Sequence, residues 1–230
     1  MQEAAANRTD ISVAQFAHTG YDQKSITARI HGRDNSAGLV IIGAHLDSIN
    51  VANNANRSPG ADDNGSGTMT VLEAFRVIAA SGFVPQFPLE FQWYAAEEVG
   101  LLGSQAIAQS YKNQGVPVYA MFNIDMTAYT EPGLQVRVIN DNTDAPLTAF
   151  ITTVIDEYTN FTWRSYGCGY GCSDHASYNR AGYPSSSVFE PKTNPRIHTN
   201  EDDLPLVVWE QTLGFIKLAL GIVVELSYGV

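Results

Sequence analysis

"GLVIIGAHLDS" from Gly38 is an unbroken apolar run that ends in a histidine and an aspartate, and "VYAMFNIDM" from Val118 has the same character. A strand with one wet face alternates apolar and polar residues, whereas a strand covered on both faces reads as a continuous apolar run. These runs therefore require a sheet with helices on both sides. The rest of the chain supplies the parts. "KSITARIH" over 24–31 alternates as a half-exposed strand, and "PLEFQWYAA", "LQVRVIN" and "YPSSSVFE" read as further strands. Helical spacing predicts helices over 68–80, with Val71, Leu72, Phe75 and Ile78 on one face, over 101–113, and over 146–158, with Leu147, Phe150, Ile151, Val154 and Ile155. A long amphipathic helix is predicted over 206–226. Strands alternating with helices predict an α/β fold, a three-layer sandwich whose mostly parallel mixed sheet has helices on both faces. No linker divides the 230 residues, so one domain is expected over 1–230.

Charge narrows the partners. Lys+Arg 13 against Asp+Glu 24 gives a net charge of −11, which argues against nucleic acid or an anionic membrane surface and suits cation binding. No apolar stretch of about 18 residues is present, and the first ten residues lack a basic region followed by an apolar run. Cys168 and Cys172, in "YGCGYGCSDH", are the two cysteines. Their spacing fits a disulfide, which would place the chain in an oxidising compartment, or a pair of free thiols. Asn7, Asn56, Asn64 and Asn160 each begin a short N-glycosylation pattern.

In an open α/β sheet, ligands bind beyond the carboxyl ends of the strands. The reactive side chains cluster there in the sequence. His45 and Asp47 follow one strand, Glu97 and Glu98 the next, and Asp125 ends a third. Asp62 and Asp63 sit in the polar loop "NNANRSPGADDNGSG" before the first long helix. Each has an ordinary reading on its own: a hydrogen-bonded histidine, turn aspartates, first-turn glutamates at a helix dipole. Together they would repel one another unless a cation held them. Carboxylates and imidazole without thiolate suit zinc, manganese or cobalt.

The blocks "GAHLDS", "PGADDNGSG", "AAEEVGLLGS", "NIDM", "CGYGCSDH" and "NPRIHT", in this order over 39–200, resemble the co-catalytic zinc aminopeptidases typified by bacterial leucyl aminopeptidase, with secreted fungal leucyl aminopeptidases similar. The resemblance implies two Zn2+ ions. Asp62 would bridge them, His45 and Asp125 would complete one site, and Glu98 and His198 the other. Glu97 would be the general base, Tyr170 would stabilise the oxyanion, and Asp47 would orient His45 from behind. A disulfide between Cys168 and Cys172 and a cis peptide between Asp62 and Asp63 are implied as well. Met126, Ile139, Phe189 and Ile197 would line a pocket for a large apolar side chain. Substrates would be peptides with a free N-terminus, cleaved by a secreted, glycosylated monomer. His18 and His31 lie outside every motif, and His175 is read as structural.

Two departures from the family are expected. The segment before the first strand is short, and "EPKTNPRIH", which edges the pocket, is shorter than in the bacterial form. The rival readings are a single-zinc glutaminyl cyclase, a carboxypeptidase of the same fold, and a binding domain that has lost catalysis. Intact candidate ligands count against the last.

Overall fold

The computed structural model describes residues 1–5, 8–130 and 133–229. Its sheet has eight strands: β1 (Ile11–Phe16), β2 (Ser25–Ile30), β3 (Leu39–His45), β4 (Leu89–Tyr94), β5 (Val118–Asp125), β6 (Gln135–Ile139), β7 (Thr162–Tyr166) and β8 (Ser185–Phe189). Their spatial order is β1-β2-β4-β3-β5-β8-β6-β7. β4, β3, β5 and β8 run parallel at the centre, so their carboxyl ends share one edge. β1 and β2 extend the sheet antiparallel on one side. On the other side β6 is antiparallel to β8 and β7 is parallel to β6.

The helices are α1 (Gln2–Ala5), α2 (Gly67–Ser81), α3 (Leu102–Gln114), α4 (Ala145–Tyr158), α5 (His175–Ala181) and α6 (Trp209–Leu226). Alternation along β3 sorts them into two layers. Val40 and Ile42 face α2 and α6 and share one core with Val71, Phe75, Phe215, Leu218 and Ile222 and, from α4, Ile151. Leu39 and Ile41 face α3 and α5 and meet Ile107 and Tyr178. All of β3, β4 and the carboxyl half of β5 is buried, as the apolar runs require. Each large apolar side chain so buried contributes about 1.5–3 kcal/mol. The three-layer α/β sandwich is as expected, and so are the four longer helices, within three residues at each end.

Four elements lie outside the expectation: α1, β1, β7 and α5. β7 is a fully exposed edge strand, "TWRSY", without the alternation that marks a half-buried one. α5 buries His175, Ala176, Ser177 and Tyr178, a mostly polar set with no apolar stripe.

Candidate metal centre

His45 is the last residue of β3 and is 1% exposed. Asp125 ends β5, and Glu97 and Glu98 follow β4. The polar loop folds Ala61–Ser66 into an irregular turn before α2, with Asp63 and Asn64 off helical geometry. Gly67 is required where that turn meets β5, because a Cβ there would stand 2.1 Å from Asn64 Oδ1 and 2.8 Å from the Ile124 carbonyl.

Asp63 lies at the centre. Its Oδ1 is 3.1 Å from His45 Nε2, and its Oδ2 is 3.0 Å from His198 Nε2. His45 Nε2 is also 3.4 Å from Asp125 Oδ1, and His198 Nε2 is 2.9 Å from Glu98 Oε2. Two clusters result, His45–Glu97–Asp125 and Asp63–Glu98–His198, each with its donor atoms within 4.8 Å of one another.

Asp62, expected to bridge, is elsewhere. Its Oδ1 accepts from the Ala128 N–H at 3.0 Å, with Ser66 Oγ at 3.4 Å, so its carboxylate turns back toward β5 and α2. Neighbouring side chains leave a turn in different directions, and only Asp63 points between the histidines. The cis peptide is also one position on, between Asp63 and Asn64.

The charges in this cluster are strongly perturbed. Burial pushes Glu97 well above the usual carboxylate range and raises Glu98. Hydrogen bonds to Asp63 and Glu98 lift His198 to about 10. Burial works against a charge on His45, but Asp125 and Glu97 outweigh it and the group is raised. The two imidazoles face the acidic groups from the positions where cations would stand. Among the described residues, Asp125 Oδ1 and Glu98 Oε1 are buried without a hydrogen-bond donor, which is the environment a cation completes. The donor set fits divalent metal.

A second set of contacts fixes this geometry. His45 Nδ1 is 3.1 Å from the backbone carbonyl of Asp47, whose carboxylate stands 3.6 Å away. That carboxylate instead accepts the N–H groups of Glu97 at 3.0 Å and Glu98 at 3.2 Å. Ser173 donates to Asp125 Oδ2 at 2.6 Å. Asp202, buried in the "NEDD" run, accepts the N–H of Asp63 at 3.0 Å and of Asp62 at 3.2 Å. Asn194 donates to the same carboxylate at 3.2 Å, tying the loop that carries His198 to the turn that carries Asp63. Asp202 lies outside the ligand blocks, between Glu201 and Asp203, so no motif in the sequence marks it. Ala96, Leu101, Met126 and His198 all have positive φ (57°, 59°, 53° and 60°). Such non-glycine residues cost about 1–3 kcal/mol each and gather where surrounding structure over-determines the backbone.

Beside the clusters is a cavity of about 440 Å3 lined by Asp63, Glu97, Glu98, Asp125, Met126, Phe189, Ile197 and His198. Ile139 packs behind Met126 and Phe189 and is fully buried. Cys168 and Cys172 form a disulfide at the rim, and Tyr170 between them is 68% exposed while lining the cavity. Arg137, Tyr166 and Thr193, not foreseen from the sequence, also line it. His18 bonds Ser25 Oγ at 2.7 Å, and His175 approaches the Asp141 carbonyl at 3.3 Å, so both have structural partners. Asn56 and Asn160 are exposed. Asn64 is 1% exposed, its amide spent on Ile124, Gly67 and Met126, so it is no glycan acceptor. Asn7 lies outside the described residues.

The fold and the paired clusters define a candidate two-metal centre at the carboxyl edge of a mixed α/β sheet. Residues 25–223 match Peptidase family M28, and the chain belongs to that family. It is similar to "Leucine aminopeptidase 1" of Fusarium vanettenii, 44% identical over 99% of this chain and 61% of the relative. The crystal structure of the Legionella pneumophila LapA aminopeptidase superposes with a TM-score of 0.93 at 37% identity, over 100% of this chain and 62% of that one. The structure of BSAP, a zinc aminopeptidase from Bacillus subtilis, does so with a TM-score of 0.74 at 25% identity, over 90% of this chain and 51% of that one. The chain therefore spans about three fifths of the length of the first two.

Proposed function

We propose that this chain carries the catalytic centre of a secreted, monomeric metallo-aminopeptidase that removes leucine or another large apolar residue from the N-terminus of peptides. The observation that carries the reading is Asp63, whose two carboxylate oxygens each face a different histidine. His45, Asp63 and Asp125 would hold one zinc ion and Asp63, Glu98 and His198 a second, and the pair, when bound, would polarise the scissile carbonyl and lower the pKa of water.

The remaining work falls to the chain's own groups. The acidic end of the cavity draws in the substrate's α-ammonium. Glu97, raised by burial, takes a proton from the attacking water and returns it to the departing amine. Asp47 holds the backbone of Glu97, and so the base, in place. Tyr170 stands at the rim, where its hydroxyl would donate to the oxyanion of the tetrahedral intermediate. Met126, Phe189 and Ile197 receive the first side chain, with Ile139 as backing. The disulfide that frames Tyr170 agrees with an oxidising, extracellular setting.

Hydrolysis of leucine p-nitroanilide, measured beside Glu97→Gln and a metal count, tests the reading. Activity should need about two metals per chain and fall about 10²–10⁴-fold in the variant. One metal per chain, with ammonia released from a glutaminyl peptide, would replace the reading by a cyclase.

A further inference from the structure

Arg137 sits on β6 in register with Phe189 of β8, beside the apolar wall of the cavity. It is 4% exposed. Its Nε donates to the Glu190 carbonyl at 2.6 Å and its Nη2 to Thr193 Oγ1 at 3.1 Å. The guanidinium lies 4.6 Å from the centre of the Tyr166 ring and 5.9 Å from that of Phe189. All these partners are neutral. The Glu190 carboxyl accepts from the N–H groups of Tyr129 and Asn194, and burial with neighbouring Asp62 pushes it well above the usual range, toward its neutral form. Arg164 of β7, in register with Arg137, adds a second positive charge. A buried charge is costly unless it is paired, and among the described residues Arg137 has hydrogen bonds and ring contacts but no bonded carboxylate.

The cavity lining thus combines the acids Asp63, Glu97, Glu98 and Asp125, the apolar Met126, Phe189 and Ile197, and one buried cation, Arg137, set beside Phe189 by the pairing of β6 with β8. We propose that Arg137 is a specificity-determining residue: it excludes N-terminal residues whose side chain ends in a cation and leaves the cavity to neutral side chains with an apolar stem. The proposal rests on the aminopeptidase reading. A lysine stem fits the apolar wall as well as norleucine does, but its ammonium is carried toward a desolvated guanidinium, where like charges repel far more than in water. The substrate's α-ammonium escapes this penalty because it docks at the carboxylates of the two clusters.

The test compares kcat/KM for the p-nitroanilides of norleucine, lysine and 6-hydroxynorleucine at neutral pH. The last has the length of lysine without its charge. The wild-type chain should cleave the lysine substrate at least about tenfold less efficiently than 6-hydroxynorleucine, and Arg137→Gln should close most of that gap. Arg137→Lys, which keeps the charge, should preserve it. Equal cleavage of the lysine and hydroxyl substrates by the wild type would overturn the proposal, and that comparison stands even where Arg137→Gln does not fold. A gap that persists in a folded Arg137→Gln would overturn it too. Norleucine separates the two levels: if none of the three is cleaved by metal-loaded chain, the aminopeptidase reading falls and takes this proposal with it.

Discussion

Asp47→Asn separates two ways in which a carboxylate behind a metal centre can act. The family resemblance assigns Asp47 to His45, as an orienting partner. In the structure the imidazole Nδ1 meets the Asp47 backbone carbonyl, a contact that any residue at 47 preserves. The carboxylate serves the N–H groups of Glu97 and Glu98, at 3.0 and 3.2 Å, with its side chain only 14% exposed. Asparagine offers one carbonyl oxygen, so one of the two N–H groups would face an NH2 group instead. Losing one charge-assisted bond costs about 1.5–3 kcal/mol, which urea unfolding of the metal-free chain would read as a lowered midpoint. The larger effect should be on turnover. Releasing the peptide between Ala96 and Glu98 lets the Glu97 carboxylate drift, and a displacement on the order of 1 Å costs about 10²-fold in rate. Leucine p-nitroanilide kinetics should therefore show kcat down about 10–100-fold, with metal affinity at the His45 site changed little. Unchanged kcat with metal affinity weakened about 100-fold would refute this assignment and return Asp47 to His45.

The other predictions are simpler. Asp63→Asn should weaken zinc binding by more than about 100-fold in equilibrium dialysis, beyond what supporting residues account for, while Asp62→Asn keeps both ions; equal loss in the two variants would restore Asp62 as a ligand. His175 is buried and its pKa falls from 6.5 to about 4 through desolvation, so the folded chain refuses a proton that the unfolded chain accepts. Its contribution is complete above 6.5 and is lost as pH falls toward 4, amounting to about 3 kcal/mol, which urea unfolding of the metal-free wild type and His175→Gln across that range would compare. In chain made through a secretory route, glycan mapping should find sugar at Asn56 or Asn160 and none at Asn64; sugar at Asn64 would mean that the turn before α2 forms after modification.

The fold was legible because its strongest constraint is one-dimensional. A run such as Leu39–Ala44 can be satisfied only by burial on both faces, and helical stripes such as Leu147–Ile151–Val154 supply the cover. β7 escaped because an edge strand needs neither burial nor alternation, and its five residues are all exposed. α5 escaped because it buries hydroxyls, a histidine and a tyrosine, which leave no apolar period to read.

The centre was legible to the level of the strand end and not below it. His45, Asp125 and the two glutamates sit where strands stop, so their convergence follows from parallel topology alone. Asp62 and Asp63 sit in a turn, where one residue decides which way a carboxylate faces, and no periodicity governs that choice. Here it is made by long-range bonds: Ala128 N–H captures Asp62, and Asp202, 139 residues further on, holds the peptide N–H of Asp63. Arg137 shows the same limit from the other side. On β6 its position is that of an inward strand residue, and only the pairing with β8 sets it beside Phe189. What the sequence states is which residues can reach the rim. Which of two neighbours faces the histidines, and which charge lines the cavity beside Phe189, is decided by contacts that join distant parts of the chain.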